Sequence, residues 1–235
     1  MIKGVLFDKD GTLLGFHKAW HGILTEVFLR FESDLGIEPS TIERLKLAAG
    51  YQRDGFAPAS VVRYLSISEL IDRWFEGCHE LDRTRLREPM RGVFEQSAVG
   101  SDLAVKVLPG ARETLDVLST RGYPLGVATA DMPHSTCAGL ERTGLLEYFS
   151  FIGSDDGQHR PKPHPEMAHR FCSESGIRPE ELLVVGDSAI DLEFAHNAKA
   201  SFAGIATAYN DFEPPGTDGA AFVPHLGELI PRFGL

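Results

Sequence analysis

Two aspartates stand two residues apart near the start of the chain, within the run DKDGT at positions 8–12. They follow directly on an apolar run, residues 2–7, that predicts a buried strand. A strand that ends in an acidic, glycine-containing turn presents its side chains at the carboxyl edge of a sheet, where open α/β folds bind ligands. Asp8 and Asp10 are therefore candidates for chemistry. The alternative is an ordinary Asp-Gly turn in which Asp10 or Thr12 caps the next element.

Other predicted strands of the chain also end in polar residues. Thr129 ends one strand, Asp187 ends another, and Asp191 lies one helical turn further on. Between these strands, residues 160–165 contain three prolines around Lys162, which stiffen the segment and fix the lysine at little entropic cost. A fixed lysine among aspartates is typical of an anion site.

The clustered carboxylates require compensating positive charge. Two unit charges about 4 Å apart repel by roughly 4 kcal/mol at an effective dielectric near 20, or about three pKa units. One lysine, Lys162, cannot balance four aspartates when a phosphate also arrives, so a divalent cation is implied. All candidate ligands are oxygens, without a nearby His or Cys pair, which favours Mg²⁺ over zinc or copper.

The first part of the chain after this turn predicts helices. Apolar residues recur at three- and four-residue spacing over 18–35, and a second helix begins near Ser40, which with Glu43 could form a capping box. Helical periodicity returns after a loop rich in breakers at 50–58. We expect residues 16–103 to be helical throughout.

The rest of the chain alternates strands and helices. The predicted helices are 109–118, 135–142, 165–175 and 190–198, and the predicted strands are 123–129, 149–153, 182–185 and an edge strand at 203–208. Such alternation implies a parallel sheet covered by helices on both faces, which the first strand should join. We predict an α/β fold: a doubly wound, Rossmann-like, mostly parallel sheet core (residues 1–15 and 104–235) with an inserted α-helical domain (16–103).

Composition limits the partners. Lys and Arg number 23 against 34 Asp and Glu, and the net charge of −11 disfavours nucleic acid and anionic membranes as partners. Three widely spaced cysteines, Cys78, Cys137 and Cys172, indicate neither a disulfide framework nor a zinc ribbon. The sequence contains no apolar segment of the roughly 20 residues that span a bilayer, so we expect a cytoplasmic protein.

The polar residues match four motifs in order, and on these the chain resembles the haloacid dehalogenase (HAD) superfamily in its phosphatase branch, similar to phosphoglycolate phosphatases. The motifs are D-x-D-G-T at 8–12, a strand ending in Thr129, Lys162 in the K-P-x-P form, and G-D-x-x-x-D at 186–191. The helical insertion resembles the family's cap of the first type.

The resemblance implies a role for each motif residue. Asp8 would attack phosphorus and form an aspartyl-phosphate, while Asp10 would protonate the leaving oxygen and then deprotonate the hydrolytic water. Thr129 and the backbone N–H of Ala130 would hold phosphoryl oxygens, and Lys162 would neutralise charge on nucleophile and phosphate.

The resemblance also implies a Mg²⁺ site. The ion would lie between Asp8, the Asp10 carbonyl and Asp187, with Asp191 as a water-mediated ligand or as an orienter of Lys162.

Two residues of the first motif should shape the turn, and one motif departs from the family pattern. The resemblance implies that Gly11 allows the turn that swings Asp10 inward and that Thr12 fixes Asp10 by a hydrogen bond. Many relatives have Asn directly after the second-motif hydroxyl, whereas this chain has Ala130 followed by Asp131. A side-chain contact to the substrate is then absent or replaced.

These features predict a Mg²⁺-dependent phosphatase, monomeric or homodimeric, that acts on a small phosphorylated metabolite such as a phosphoglycolate-like ester or a sugar phosphate. Asp10 argues against dehalogenases and phosphonatases, which lack the second aspartate. A β-phosphoglucomutase-like phosphotransferase stays open because it uses the same pair. A more distant alternative is a non-catalytic phosphoacceptor or binding module of the receiver type, although receiver domains lack the cap.

Substrate identity should reside in the inserted domain and its hinges. His17, Lys18 and Trp20 follow the first motif, and Arg53 lies in the loop rich in breakers. We expect some of them to contact the leaving group. The alternative is that they are solvated hinge and loop residues.

Overall fold

The computed structural model describes residues 1–57, 60–100, 105–206 and 221–235. Its strands are β1 (Gly4–Phe7), β2 (Tyr51–Gln52), β3 (Gly55–Phe56), β4 (Leu125–Ala128), β5 (Phe151–Gly153), β6 (Leu182–Gly186), β7 (Ser201–Ile205) and β8 (Ala221–Val223). Its α-helices are α1 (His17–Ser33), α2 (Pro39–Ala49), α3 (Ile67–Gly77), α4 (Arg83–Gly100), α5 (Ala111–Thr120), α6 (Pro133–Arg142), α7 (Glu166–Ser175), α8 (Ala189–Ala198) and α9 (Leu229–Phe233). Short 3-10 helices lie at Val61–Arg63, Leu146–Tyr148, Pro179–Glu181 and Leu226–Glu228.

Six parallel strands form one sheet in the order β5-β4-β1-β6-β7-β8. The chain starts at β1 in the interior of the sheet, adds β4 and β5 on one side, and then crosses to β6 on the other. The strand order therefore reverses beside β1, which is where open α/β sheets bind ligands. The predicted α/β fold with a doubly wound, Rossmann-like sheet is confirmed, and β1 joins the later strands as expected.

Helices cover both faces of this sheet because the side chains of each strand alternate. Val5 and Phe7 pack on one face against α5, α6 and α9, while Leu6 packs on the other face against α7 and α8. Strands buried on both faces read as continuous apolar runs, and β1, β4 and β6 are buried over their whole length. The two covering layers hold the sheet's carboxyl edge in place.

Helices α1 to α4 and the hairpin β2–β3 build a separate hydrophobic cluster. Trp74 lies at its centre, with its ring 5.8 Å from that of Phe94 and 5.9 Å from that of Phe31. Its indole N–H donates to the Leu45 carbonyl at 3.0 Å. Met132, which follows β4, also packs into this cluster and thereby connects it to the sheet. The boundary expected near 103 and 104 lies outside the described residues.

Three expectations about these elements are wrong. The region 16–103 is not helical throughout, because the two-residue turn Arg53-Asp54 closes the hairpin β2–β3. The strand expected at 203–208 is not an edge strand: β7 pairs with β6 and β8, and β8 forms the edge. Residues 207 and 208 of that prediction lie outside the described part of the chain.

The third error concerns a helix start. Helix α2 begins at Pro39 after Glu38, without a side-chain cap, so Ser40 lies inside the first turn and forms no capping box. Proline at the first helical position has a fixed φ that suits the helix, and the N–H that it lacks would have no partner within the helix. The capping box forms instead at α3, between Ser66 and Glu69.

We expect Trp74→Ala to lower the free energy of unfolding by about 3–5 kcal/mol, because it removes a large, fully buried ring. Trp74→Phe should cost about 1–3 kcal/mol, since it leaves the buried Leu45 carbonyl without its donor. Urea unfolding followed by circular dichroism measures both. Leu29→Ala, at an exposed position of α1, is the control, and an equally large loss there would contradict this ranking.

Candidate active site

The pairing register of β1 with β4 and β6 places the polar residues at their ends side by side. Phe7 pairs with Val127 of β4 and with Val185 of β6, so Asp8, the next residue, lies between the ends of these two strands. The Asp8 backbone N–H donates to the Val185 carbonyl at 2.8 Å, which extends the β1–β6 pairing by one residue. Thr129 and Asp187 each lie one residue beyond the point opposite Asp8. The sheet thereby brings the predicted residues to one edge.

A buried lysine joins two of the acidic residues. The Lys162 ammonium lies 2.7 Å from Asp8 Oδ1 and 2.6 Å from Asp191 Oδ1. Asp191 is held from the other side, because its Oδ2 accepts hydrogen bonds from the backbone N–H and hydroxyl of Ser188. Those contacts form the capping box at the start of α8. The helix start therefore fixes Asp191, and Asp191 orients Lys162.

Asp187 completes an acidic group that could hold a metal ion. One carboxylate oxygen from each of Asp8, Asp187 and Asp191 lies within 4.8 Å of the others. Burial raises the pKa of Asp8 to about 7, with Lys162 opposing the rise and the Asp191 charge adding to it. Burial and then the charges of Asp8 and Asp191 hold the pKa of Asp187 well above its ordinary value. Oxygen donors with excess buried negative charge fit Mg²⁺.

Gly11 forms the wall of this acidic group. Its φ is +93°, in the region that favours glycine. A Cβ at this position would lie 2.4–2.7 Å from the carboxylate atoms of Asp187. The Thr12 hydroxyl donates to Asp187 Oδ1 at 3.5 Å, so the expected hydrogen bond from Thr12 to Asp10 is not the one that forms. The turn therefore brings Thr12 to Asp187, the residue directly after β6.

Asp10 has other partners, which sequence reasoning missed. The Lys9 ammonium lies 2.7 Å from Asp10 Oδ2 and 2.9 Å from Asp131 Oδ2. The Trp20 side chain forms a further hydrogen bond with Asp10. Burial raises the pKa of Asp10, while Lys9 opposes that rise and Asp131 adds to it. Burial alone would lower the pKa of Lys9, but the charges of Asp10 and Asp131 raise it above its ordinary value.

Thr129 and Ala130 lie where a phosphoryl group would need donors. Thr129 is buried, its backbone N–H bonds to the Gly153 carbonyl, and its hydroxyl accepts from the Asp131 N–H at 3.2 Å. Both residues line a cavity of about 50 Å³ together with Asp8 and Asp10. The same cavity is lined by Lys162, Asp187 and Asp191, so the predicted core residues converge on one small space.

The helical part of the chain contributes an arginine to this cavity. Arg63 lies in the 3-10 helix before α3. Its Nη2 atom is 3.8 Å from Asp187 Oδ2, and each of the two side chains is 9% exposed. It lines the catalytic cavity and a neighbouring one of about 240 Å³. Sequence reasoning selected Arg53, which the structure places in the exposed hairpin turn. In the sequence, the one feature that sets Arg63 apart is that it is a basic residue in an apolar context.

The other residues expected near the leaving group fall in different places. Trp20 lines the catalytic cavity, and His17 lines the larger neighbouring one. Lys18 and Arg53 are exposed and line neither of these two cavities. Of the four, Trp20 shares the smaller cavity with the acidic residues, and His17 shares the larger one with Asp187.

A buried aspartate anchors the helical part over the site. Asp155, which follows β5, accepts hydrogen bonds from the backbone N–H of Ser68 at 2.8 Å and from its hydroxyl at 3.0 Å. Arg91 of α4 also pairs with Asp155 at 3.5 Å. The Asp155 N–H in turn donates to the Asp131 carbonyl at 2.8 Å. Asp155 thus connects the sheet edge that carries Asp131 to helices α3 and α4.

Comparisons with known proteins identify the family. The model for haloacid dehalogenase-like hydrolases matches residues 2–199. The chain belongs to this family. It is therefore a hydrolase, and the predicted resemblance is confirmed. Among the described residues, no helix combines the length and apolar composition that crossing a membrane requires.

Curated relatives of this hydrolase carry phosphatase names. It is 26% identical over 210 residues to "Pyrophosphatase PpaX" of Oceanobacillus iheyensis, which covers 89% of the chain and 86% of that protein. It is 32% identical over 135 residues to "Phosphoglycolate phosphatase" of Escherichia coli K12, which covers 55% of the chain but only 52% of that protein.

Solved structures share the fold. A predicted phosphoglycolate phosphatase from Haemophilus somnus superimposes with a TM-score of 0.71 at 21% identity, covering 99% of this chain and 98% of that one. β-Phosphoglucomutase from Clostridium difficile gives 0.66 at 18% identity, with coverage of 99% and 95%. At such identities the likeness establishes the fold alone.

We expect Asp187→Asn to raise the melting temperature of the metal-free protein. A carboxyl whose folded pKa lies above its unfolded value binds more protons when folded, so it lowers stability as the pH rises through that range. Removing this charge at pH 7.5 should raise the melting temperature by a few degrees, since about 1 kcal/mol corresponds to about 2–4 °C at this chain length.

The measurement is thermal unfolding in EDTA and in MgCl₂. The wild type should gain stability with Mg²⁺ and the variant should not, because Mg²⁺ binding stabilises only a folded site. Asp72→Asn, which affects an ion pair with Arg87 in the helical part, is the control and should keep the Mg²⁺ gain. A variant that is less stable without metal yet still responds to Mg²⁺ would contradict the expectation.

Proposed function

We propose that this hydrolase is a Mg²⁺-dependent phosphatase that cleaves a small phosphate monoester through an aspartyl-phosphate on Asp8. The observation that carries the proposal is the Lys162 ammonium fixed between Asp8 and Asp191, beside Asp187, in a small cavity. A nucleophilic carboxylate needs a nearby cation to approach an anionic phosphate, and Lys162 provides one. The phosphatase names of the relatives agree with this chemistry.

The two aspartates of the first motif take separate tasks in this proposal. An Asp8 oxygen forms a bond to phosphorus as the ester bond breaks, and Asp10 gives its proton to the leaving oxygen. Asp10 then takes a proton from water, which attacks phosphorus and breaks the bond to Asp8. Free phosphate leaves, and both carboxylates return to their starting states. Thr129 and the Ala130 N–H bind the phosphoryl oxygens meanwhile.

Asp8, the Asp10 carbonyl and Asp187 would hold Mg²⁺, and Asp191 would act mainly through Lys162. When bound, the ion supplies positive charge that lets Asp8 and a phosphate approach each other. The fit rests on the all-oxygen donor set and on the raised pKa of Asp187.

We expect Asp8→Asn to lower phosphate release from small monoesters by at least about 10³-fold, because the amide is a poor nucleophile. A screen with and without Mg²⁺ measures this, and mass spectrometry after acid quench should find one phosphoryl group on the wild-type peptide containing Asp8. Asp54→Asn, exposed in the hairpin turn, is the control. Activity that survives Asp8→Asn would exclude the covalent mechanism.

The helical insertion, residues 16–103, acts as the cap that selects the leaving group. The catalytic cavity of about 50 Å³ is far below the roughly 300–1,000 Å³ of pockets for drug-sized ligands, which favours a compact leaving group. Arg63 is the cation that the described part of this insertion adds to the cavity lining. A guanidinium binds carboxylate or phosphate in bidentate fashion, so we propose a leaving group with a second anionic group.

We expect Arg63→Met to reduce kcat/KM by about 10- to 100-fold for esters whose leaving group carries a carboxylate or phosphate. A hydrogen bond to a charged group contributes about 1.5–3 kcal/mol, which corresponds to that range. Esters with neutral leaving groups should change by less than about threefold. Arg53→Met is the matched control in the same cap. Equal losses across all esters would contradict recognition and indicate an effect through Asp187.

The mutase alternative is tested in the same assays. Incubation with glucose 1-phosphate and a bisphosphate primer distinguishes the two activities, because a mutase forms the isomer while a phosphatase releases phosphate. Isomer without free phosphate would overturn the proposal, and an aspartyl-phosphate that persists without turnover would favour a phosphoacceptor.

A further inference from the structure

Lys9 is a buried lysine that the mechanism above does not use. Its side chain is 6% exposed, and its ammonium contacts Asp10 and Asp131 at 2.7 and 2.9 Å. A buried ammonium is costly unless it is paired, so these two carboxylates determine where it lies. Lys9 itself is not among the residues that line the catalytic cavity, whereas Asp10 is. Asp131 also lines this cavity, so any effect of Lys9 on the chemistry must pass through its two carboxylate partners.

Asp131 is the rigid end of this arrangement. Its Oδ1 accepts hydrogen bonds from the Met132 N–H at 2.7 Å and from the Ser135 hydroxyl, at the start of α6. Its own N–H donates to the Thr129 hydroxyl at 3.2 Å. Because these hydrogen bonds fix the backbone and Oδ1 of Asp131, they also fix the position of its Oδ2, which binds the Lys9 ammonium. Asp131 thus transmits the geometry of the β4–α6 turn to Lys9.

Asp10 needs such support. The terminal torsion of an aspartate is broad and roughly two-fold, so a carboxylate without fixed partners rotates easily. An acid that protonates a leaving oxygen must stay within hydrogen-bond reach of it. Lys9 holds Asp10 Oδ2, and Trp20 adds a hydrogen bond from the cap. The carboxylate is therefore held from the core and from the cap together.

We propose that the Lys9–Asp131 ion pair is a positioning device that holds Asp10 in the orientation required for proton transfer to the leaving group. This inference rests on the proposed phosphatase function. Lys9 acts through Asp10, and Asp131 acts through Lys9, because Oδ1 of Asp131 is bound by Met132 and Ser135 and its Oδ2 by Lys9. The pair also gives a role to Asp131, which follows the departure at Ala130 and which the proposed chemistry does not use.

The test compares leaving groups that need a proton with those that do not. The probes are p-nitrophenyl phosphate, whose phenolate leaves readily, and an alkyl phosphate such as 2-phosphoglycolate, whose alkoxide requires an acid. Lys9→Met/Asp131→Asn removes both charges at once, so no unpaired buried ion is left. We expect kcat/KM to fall by about 10²-fold for the alkyl ester and by less than about tenfold for the aryl ester.

Matched variants separate positioning from general loss of structure. Lys3→Met/Glu181→Gln removes a 2.7 Å ion pair between the segment before β1 and that before β6, and should change both esters equally or not at all. In an Asp10→Asn background, adding Lys9→Met/Asp131→Asn should cause no further leaving-group-dependent loss. If the double variant does not fold, Asp131→Asn alone keeps the lysine and should give a smaller loss with the same preference.

Three results would overturn the proposal. These are equal losses for both esters, no loss for the alkyl ester, or a leaving-group-dependent loss that persists in the Asp10→Asn background. If the wild type hydrolyses neither these nor other monoesters, the proposed function has failed and the positioning role fails with it. If the wild type hydrolyses monoesters and Asp8→Asn does not, the proposed function holds. Failure of the positioning role can then be recognised separately from failure of that function.

Discussion

Repulsion among carboxylates gathered at one edge of a sheet is the constraint on which the site depends. Asp8, Asp131, Asp187 and Asp191 are buried there, and Asp10 is half-buried beside them. Each cation near them contacts this set: Lys162 bridges two aspartates, Lys9 bridges two others, and Arg63 faces Asp187. Since buried like charges repel strongly, this arrangement persists only if every cation is fixed by its surroundings.

The fixation has a different source for each cation. Prolines on both sides of Lys162 limit its backbone, and the capping box of α8 holds the aspartate to which it binds. The β4–α6 turn fixes Asp131, which determines the place of Lys9. Arg63 comes from the helical insertion, so its place depends on how that insertion is anchored through Asp155. The electrostatic balance of the core therefore includes a contribution from outside it.

The sequence predicts the fold and the core of the site well because local signals and topology agree there. Asp8, Thr129 and Asp187 each follow a buried strand, and parallel strands bring such ends together without further information. Lys162 is signalled by its prolines. In the structure these residues converge on one cavity, which agrees with that expectation.

What the sequence could not predict are contacts between side chains from distant segments. Lys9 looks like a solvated residue of a turn, and only the three-dimensional position of Asp131 makes it a buried partner. Arg53 lies among breakers and Arg63 in an apolar context, but neither pattern predicts that Arg63 reaches the cavity while Arg53 lies in a hairpin turn. The hairpin β2–β3 was not predicted because helical periodicity precedes and follows it in the sequence.

Gly11 has a consequence for how such an enzyme can diversify. Because any β-carbon at this position would overlap Asp187, the wall of the acidic group is bare backbone, and no substitution can reshape it. Side-chain variation at this one position is thereby closed off. In the proposed function, new substrates are acquired through positions of the helical insertion other than those that contact the acidic residues, while the chemistry beneath them stays constant.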